Sequence, residues 1–225
     1  MGQHFLKSDD AARRIVDAAG ITDQDTVLEI GPGRGELTGH ICRRAKKVTA
    51  VELDRYLYMC LKSKPNPGNL DLVCGDGFSD DASFDILVSA LPYSQSRRAV
   101  EWLSRQEFSK AIIMVQQEFA DKLTAKDRDR RAISVLASWA FDMEALHSVP
   151  GDGFEPPPEV DSVVLRVTQR NRATRDMVSA INRLFSHRRK TVRNILKEFG
   201  VEYEGSQRLD ELTDEEIVRI AETIR

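Results

Sequence analysis

The sequence lacks long hydrophobic runs and paired cysteines. No segment of the 225-residue chain approaches the roughly 18 consecutive apolar residues that a membrane span needs. Residues 1–7 lack the charged and apolar regions of a secretory signal. The three cysteines, Cys42, Cys60 and Cys74, form no CxxC pair, which argues against a disulfide framework or a zinc cluster. We therefore expect a soluble, cytoplasmic protein that holds no metal and binds no membrane. A monomer is expected as well, although these absences do not bear on the oligomeric state.

The chain also lacks a large excess of charge of one sign. Its 33 Lys and Arg and 36 Asp and Glu leave a formal net charge of −3, which argues only weakly against a nucleic-acid partner. Charge is nevertheless uneven, because residues 166–197 contain ten basic side chains and a single acid, Asp176. Such a stretch is either a solvated helix face or a surface for phosphate groups, and composition alone leaves both open.

Short apolar runs alternate with amphipathic stretches over the first three quarters of the chain. Strands that are apolar throughout and are followed by helical patterns indicate a parallel sheet covered on both faces. The sequence therefore predicts a doubly wound α/β domain. The predicted strands are residues 26–30, 48–52, 70–74, 84–88, 111–115 and 162–167.

The remainder of the chain has a different pattern. Three consecutive prolines, 156–158, exclude regular structure from the segment 154–158, which we expect to join the last two strands. Helical patterns follow at 175–185, 187–199 and 213–224, and the last opens with a capping-box arrangement at Thr213 and Glu216. We predict a sheet domain over 1–169 and a small all-helical C-terminal lobe over 170–225.

A glycine-rich turn at residues 31–35 follows the first predicted strand and precedes a helix expected to begin near Glu36. Glycines at such a turn adopt positive φ angles and let the backbone approach a ligand closely. Glu52 stands at the end of the next predicted strand, where a carboxylate accepts hydrogen bonds from ribose hydroxyls. The pattern predicts a site for a cofactor that carries adenosine.

The spacing of the glycines and the nearby acids distinguish between two such cofactors. Nicotinamide cofactors are typical of Gly-x-Gly-x-x-Gly and of a helix start free of carboxylates, whereas this chain has Gly-x-Gly-x-Gly flanked by Glu29 and Glu36. The cationic sulfonium and ammonium of S-adenosylmethionine tolerate these acids. Asp76 follows the third strand, where it can accept from an adenine amino group. We predict S-adenosylmethionine, with a nicotinamide-dependent oxidoreductase as an alternative.

The segment Ser89-Ala90-Leu91-Pro92-Tyr93 follows the fourth strand and resembles the [Asn/Asp/Ser]-x-Pro-[Tyr/Phe] signature of methyltransferases that act on exocyclic amines. The lone pair of an adenine amino group is delocalised into the ring, so methyl transfer needs acceptors that pull the amine towards pyramidal geometry. It also needs an aromatic face on which an extruded base stacks. Backbone carbonyls of the proline turn suit the first task, and Tyr93 suits the second.

Taken together, the motifs resemble those of the ribosomal RNA adenine dimethyltransferase family, the KsgA type. The similarity covers essentially the full length in consistent order. The matching segments are Gly2-Gln3-His4-Phe5-Leu6, residues 29–35, Val51-Glu52-Leu53-Asp54, Gly75-Asp76, Leu91-Pro92-Tyr93, residues 154–162 and residues 184–191. Val160-Asp161-Ser162 after the prolines is most similar to the archaeal and eukaryotic branch.

The resemblance implies a Rossmann-like class I methyltransferase sheet and S-adenosylmethionine as the methyl donor. It implies methylation of the N6 amino groups of adjacent adenines near the 3′ end of small-subunit ribosomal RNA, in an immature subunit, with the helical lobe gripping the RNA. The implied catalytic residues are Ala90, Leu91, Pro92 and Tyr93; the cofactor-binding residues are His4, Leu6, Gly31, Gly33, Glu52, Asp76 and Ala90; and the RNA-binding residues are Arg183, Arg188, Arg189, Lys190 and Arg193.

One departure from the family pattern affects the predicted catalytic turn. The family usually has Asn-Leu-Pro-Tyr, and Ala90 here supplies no side-chain acceptor for the target amine. Losing one polar contact in a transition state costs on the order of 10²–10³ in rate. The extent of methylation therefore stays open, and a ribosome small-subunit assembly factor that binds RNA with weak or absent methyl transfer is the alternative.

Overall fold

The structure, a computed structural model, describes residues 4–80, 82–126 and 129–224, so Gly2 and Gln3 of the opening motif lie outside the described residues. The strands are β1 (Phe5–Leu6), β2 (Thr26–Ile30), β3 (Lys47–Glu52), β4 (Leu70–Cys74), β5 (Ile86–Ala90), β6 (Lys110–Gln116), β7 (Phe141–Val149), β8 (Phe154–Glu155) and β9 (Ser162–Gln169). The helices are α1 (Asp9–Ala19), α2 (Thr38–Cys42), α3 (Arg55–Lys62), α4 (Ser96–Leu103), α5 (Gln117–Leu123), α6 (Ala132–Ala140), α7 (Arg175–Ser186), α8 (Val192–Lys197) and α9 (Asp214–Glu222).

Seven strands form the central sheet in the order β4-β3-β2-β5-β6-β9-β7. The five strands from β4 to β6 run parallel, which confirms the expected doubly wound arrangement. The expectation of a wholly parallel sheet is wrong at one edge, where β9 lies antiparallel to both β6 and β7. No long helix connects β7 to β9 within the described chain, and without such a crossover neighbouring strands pair antiparallel.

Both faces of the sheet are buried, which explains why its inner strands are apolar throughout. On β6, Ile112 and Met114 face a core that includes α1 and α2, whereas Ile113 and Val115 face a core that includes α4 and α6. All four side chains are at most 3% exposed. A strand covered on both sides has no solvent-facing positions and so no polar alternation.

The proline-rich segment does lead into the last strand of the sheet, as expected, but the strand before it is β7, which was not predicted, and the segment is not wholly irregular. Phe154 pairs with Leu6 and Glu155 with Phe5, so β8 and β1 form a separate two-stranded antiparallel sheet. The prediction that 154–158 excludes regular structure is therefore wrong for its first two residues. The prolines themselves lie beyond the strand, where their missing N–H donors disturb no ladder.

The C-terminal helices are close to expectation except in the middle. Residues 187–199 were expected to form one helix, but only α8 is helical. Thr191 is the N-cap of α8, and its hydroxyl accepts the Asn194 N–H at 3.4 Å. The predicted capping box is confirmed, because the Thr213 N–H donates to Glu216 at 2.7 Å and the Glu216 N–H donates to the Thr213 hydroxyl at 3.2 Å.

The helices after β9 share their core with the sheet domain. Apolar side chains of α7, α8 and α9 belong to the same buried cluster as those of α4 and α6. Strand β9 ends at Gln169 and α7 begins at Arg175, on either side of the predicted boundary. The division into units 1–169 and 170–225 stays a prediction.

Candidate active site

A cavity opens at the carboxyl ends of β2, β3 and β5 and contains about 730 Å³ of space, its mouth included. It lies at the edge of the sheet where ligands bind in open α/β folds. The lining residues are His4, Phe5, Leu6, Glu29, Gly31, Pro32, Gly33, Glu36, Leu37, Glu52, Leu57, Ala90, Leu91, Pro92, Tyr93, Met114 and Phe154. The structure thus brings together all four predicted catalytic residues and every predicted cofactor-binding residue except Asp76.

The glycine-rich turn forms one wall of this cavity. Gly31 and Gly33 have φ angles of +69° and +62°, which L side chains rarely adopt. A Cβ atom at Gly33 would lie 3.3 Å from the Phe5 ring, so there is also little room for a side chain at this position. The turn is followed by the short helix α2, which begins at Thr38, slightly later than the expected start near Glu36.

Glu52 holds the glycine turn in place from the end of β3. Its side chain is buried, and Oε2 accepts the Gly33 N–H at 3.0 Å while Oε1 accepts the Asp54 N–H at 2.8 Å. These two charge-assisted bonds fix the carboxylate in one orientation. Each oxygen keeps a further lone pair, so the group can also accept from hydroxyls of a ligand in the cavity.

Two further carboxylates line the cavity, and burial raises the pKa of both. Glu29 on β2 is 1% exposed, and its Oε2 has no hydrogen-bond partner among the described residues. Burial raises the pKa of Glu29 to about 8 against the weaker effect of the nearby Thr38 hydroxyl, and the carboxylates Glu36 and Glu52 add to the rise. Burial likewise raises the pKa of the half-buried Glu36, although backbone hydrogen bonds and the Arg34 guanidinium oppose it. The lining favours a cationic ligand.

The predicted catalytic turn begins where β5 ends at Ala90. Ser89, next to it, points away from the cavity and donates its hydroxyl to the Ile30 carbonyl at 2.5 Å, so it replaces no missing acceptor at position 90. Tyr93 is fixed by a 2.9 Å hydrogen bond between its hydroxyl and that of Ser162. Burial raises the pKa of Tyr93, the Ser162 hydrogen bond opposes this, and Asp161 adds to it.

Strands β1 and β8 and the adjoining His4 supply a wall of which the sequence predicted His4 and Leu6, but not the strand pairing. The Lys7 N–H donates to the Gly153 carbonyl at 2.9 Å, and His4 Nδ1 donates to the Pro156 carbonyl at 2.7 Å. The His4 ring lies 5.6 Å from the Tyr93 ring, with the planes 31° apart. Phe154 enters the lining through this strand pairing, which only the folded chain reveals because the two segments are far apart in sequence.

Asp76 lies outside the cavity lining. It follows β4, whose last residue, Cys74, is beside Glu52 in the sheet register. Its carboxylate pairs with Arg98 and accepts the Phe78 N–H at 3.1 Å. Partial burial would raise the pKa of Asp76, but the hydrogen bonds from Arg98 and Phe78 outweigh it and the pKa is lowered. The acid is therefore charged and already engaged, at the same edge of the sheet.

The five predicted RNA-binding residues are in different environments. Arg183 lies 4.4 Å over the Phe199 ring, Lys190 pairs with Glu198, and Arg193 donates to the Tyr203 carbonyl at 3.3 Å. Arg188 and Arg189 are exposed and make no ion pair within the described ranges.

Arg188 and Arg189 line an open cleft of the C-terminal helices together with two arginines that sequence reasoning missed. These are Arg130, which binds Asp214 at 2.9 Å, and Arg208. Because Arg130 is distant from the basic stretch in sequence, only the fold places it there.

Two general properties bear on ligands. Within the described ranges, no three His, Cys, Asp or Glu side chains are grouped as ligands for one metal ion. Every helix in those ranges is too short or too polar to cross a lipid bilayer.

Comparison with known proteins gives consistent results. The sequence profile of a family described as ribosomal RNA adenine dimethylase matches residues 1–223. A probable ribosomal RNA small subunit methyltransferase A of Pyrococcus abyssi is 33% identical over 244 aligned positions, covering 100% of this chain and 91% of the relative. The protein of the same name from Methanosarcina mazei is 36% identical, covering 99% and 91%. Both relatives are archaeal, in agreement with the branch indicated by Val160-Asp161-Ser162.

The fold is also similar to that of a solved protein. A dimethyladenosine transferase from Plasmodium falciparum superposes with a TM-score of 0.78 and 23% identity, covering 96% of this chain and 95% of that one. This likeness confirms the expected Rossmann-like fold.

Proposed function

Because the chain belongs to the ribosomal RNA adenine dimethylase family, we propose that it methylates ribosomal RNA with S-adenosylmethionine as the donor. The targets are the N6 amino groups of adjacent adenines near the 3′ end of small-subunit RNA, in an immature subunit. The protein acts as a monomer in the cytoplasm. One observation carries the proposal: the Ala90–Tyr93 turn and three carboxylates line the same cavity.

The residues of the cavity fit the donor. Glu29 presents a buried oxygen without a partner among the described residues, which suits a cationic ligand, and Glu52 keeps lone pairs that suit ribose hydroxyls. Gly31 and Gly33 keep the wall free of side chains, so the methionine portion of a ligand can approach the backbone. His4, Leu6 and Ala90 complete the lining, and Asp76 beside it would accept from adenine. When bound, S-adenosylmethionine supplies a methyl group on a cationic sulfur.

The turn at the end of β5 is assigned to the target base. Tyr93 offers an aromatic face whose hydroxyl is held by Ser162, and an extruded adenine stacks on such a face with about 1–3 kcal/mol per base. The carbonyls of Ala90 and Leu91 accept from the two N–H groups of the amine and orient its lone pair, whereas the Pro92 carbonyl accepts the Gln95 N–H at 2.8 Å and so helps to fix the turn. No strong general base is needed, because the proton leaves after the methyl group has been transferred.

The C-terminal helices are assigned to the RNA backbone. Arg188 and Arg189 are exposed, lack acidic partners among the described residues and line one cleft with Arg208. Arg130 lies in the same cleft but is held by Asp214, and the acids Asp210 and Glu211 also line it. Arginine binds phosphate through paired N–H groups, so this cleft suits RNA phosphates. Arg183, Lys190 and Arg193 are assigned as secondary RNA contacts, since each already has an internal partner.

The test is incubation of the purified protein with labelled donor and unmethylated small subunits, followed by nucleoside analysis of the RNA. We expect N6-methylated adenosines at two adjacent positions, and unmodified adenines would contradict the proposal. Tyr93→Ala should lower the methylation rate by about 5–150-fold, the loss of one stacked base, with donor affinity retained. Tyr93→Phe is the matched control, because it keeps the ring and removes only the bond to Ser162.

A further inference from the structure

The charges that line the cavity are unbalanced. Glu29, Glu36 and Glu52 all face it, and its described lining contains no lysine or arginine. The negative charge of two of the three carboxylates is offset by neighbouring groups. Glu52 accepts two backbone N–H groups, and Glu36 has backbone donors together with Arg34 and Lys64 nearby. Glu29 is the most buried of the three and has one oxygen with no partner among the described residues.

The groups around Glu29 offer it no positive charge. Those that face it are the carboxylates Glu36 and Glu52, the Cys42 thiol on α2 and the Thr38 hydroxyl, which carries no charge. Burial raises the pKa of Cys42 to about 11, so this thiol stays neutral. The remaining titratable groups of the cavity lining are His4 and Tyr93. A carboxylate isolated in this way is costly to ionise, so Glu29 holds its proton at neutral pH in the free protein.

We propose, on the basis of the proposed function, that Glu29 distinguishes the methyl donor from the spent product by charge. Entry of the cationic donor makes the ionised form favourable, and Glu29 releases its proton to the solvent. S-adenosylhomocysteine carries the same ammonium and carboxylate but no sulfonium charge, so Glu29 ionises less when the product is bound. Glu29 is thus a specificity-determining residue that favours exchange of product for donor, and this preference grows as the pH rises.

The sign and size of the effect follow from linkage. A ligand that binds only the ionised form gains affinity with rising pH until Glu29 is ionised in the free protein. With a pKa of about 8 for Glu29, donor binding at pH 7 releases up to about 0.9 proton. Between pH 6.5 and 8.5 the donor affinity then rises by up to about 25-fold, whereas the product affinity rises several-fold less.

The experiment is isothermal titration calorimetry of the full chain with S-adenosylmethionine and, separately, S-adenosylhomocysteine. Titrations from pH 6.5 to 8.5 in two buffers of different ionisation enthalpy give the number of protons released. Both ligands carry an α-amino group that also titrates, and the sulfonium lowers the pKa of this group in the donor only, so its contribution is measured by titrating each free ligand and is subtracted before donor and product are compared. We expect a larger proton release for the donor and a donor-to-product affinity ratio that rises with pH.

Two variants assign the proton. Glu29→Gln keeps the shape of the side chain and cannot ionise, so we expect its donor-to-product ratio to be independent of pH. Glu36→Gln removes a neighbouring carboxylate that raises the pKa of Glu29, so the donor-to-product ratio should still rise with pH, but over a range displaced to lower pH. Equal proton release for both ligands by the wild-type protein, a measurement that needs no variant, would overturn the inference and leave the proposed function standing. Failure of both ligands to bind would overturn both.

Discussion

Replacing Glu52 with alanine tests whether one side chain both builds the cavity and binds the donor. Glu52 is 5% exposed, and its two oxygens accept the N–H groups of Gly33 and Asp54. The variant removes both acceptors and leaves two backbone donors without their partner. It also removes the carboxylate that we assign to the ribose. Stability and donor affinity should therefore fall together.

The magnitudes follow from these contacts. A hydrogen bond to a charged group contributes about 1.5–3 kcal/mol to stability, so losing two costs roughly 3 kcal/mol or more. For a protein of this size each kcal/mol shifts the melting temperature by about 2–4 °C, which predicts a decrease of about 6–12 °C. Loss of one charged contact to a ribose hydroxyl weakens donor binding by at least about tenfold.

Thermal unfolding without ligand and calorimetry with S-adenosylmethionine measure the two effects. Asp54→Ala is the matched control: Asp54 caps α3 through the N–H groups of Tyr56 and Leu57, and its side chain lies outside the cavity lining. Loss of this cap should cost about 1 kcal/mol and leave donor affinity close to that of the wild type. A Glu52→Ala protein that melts within about 2 °C of the wild type, a shift smaller than about 1 kcal/mol, and binds the donor equally well would refute the reasoning.

Two further predictions concern the base and the RNA. Ala90→Asn restores a side-chain acceptor at the cavity and should raise the methylation rate or the fraction of dimethylated adenosine, by at most about 10²–10³-fold; loss of activity in the nucleoside assay would contradict the assigned role of this position. The double variant Arg188→Ala/Arg189→Ala should weaken RNA binding. In filter-binding titrations it should also reduce the slope of log K against log salt concentration by about 1.4–1.8. Lys190→Ala should change that slope less, because the Lys190 amine already pairs with Glu198.

Much of the fold could be predicted because its strongest patterns are local. The inner parallel strands β2, β3, β5 and β6 lie close to their predicted bounds, since burial on both faces favours a continuous apolar run. Strand β7 was missed for the opposite reason. It lies at the sheet edge with exposed residues along its length, and it follows α6 directly, without a turn at Ala140 and Phe141 to mark the change. The edge strand β4 is largely exposed and was predicted from its β-rich residues alone.

The parts of the site that consist of short sequence motifs could be predicted. The glycine turn, Glu52 and the Ala90–Tyr93 turn meet in one cavity because the carboxyl ends of parallel strands share an edge. The sequence alone could not predict which side chains each of these groups contacts. That Asp76 pairs with Arg98, and that Arg130 reaches the cleft of Arg188, follow from tertiary contacts between distant segments.

The pairing of β1 with β8 has a consequence for the newly made chain. Phe5 pairs with Glu155, so the wall formed by His4, Phe5 and Phe154 cannot exist until nearly the whole sheet domain has left the ribosome. Closing so long a loop costs on the order of 4 kcal/mol in chain entropy. The donor pocket is thus among the last parts of the domain to be completed, and an unfinished chain has no complete pocket for the methyl donor.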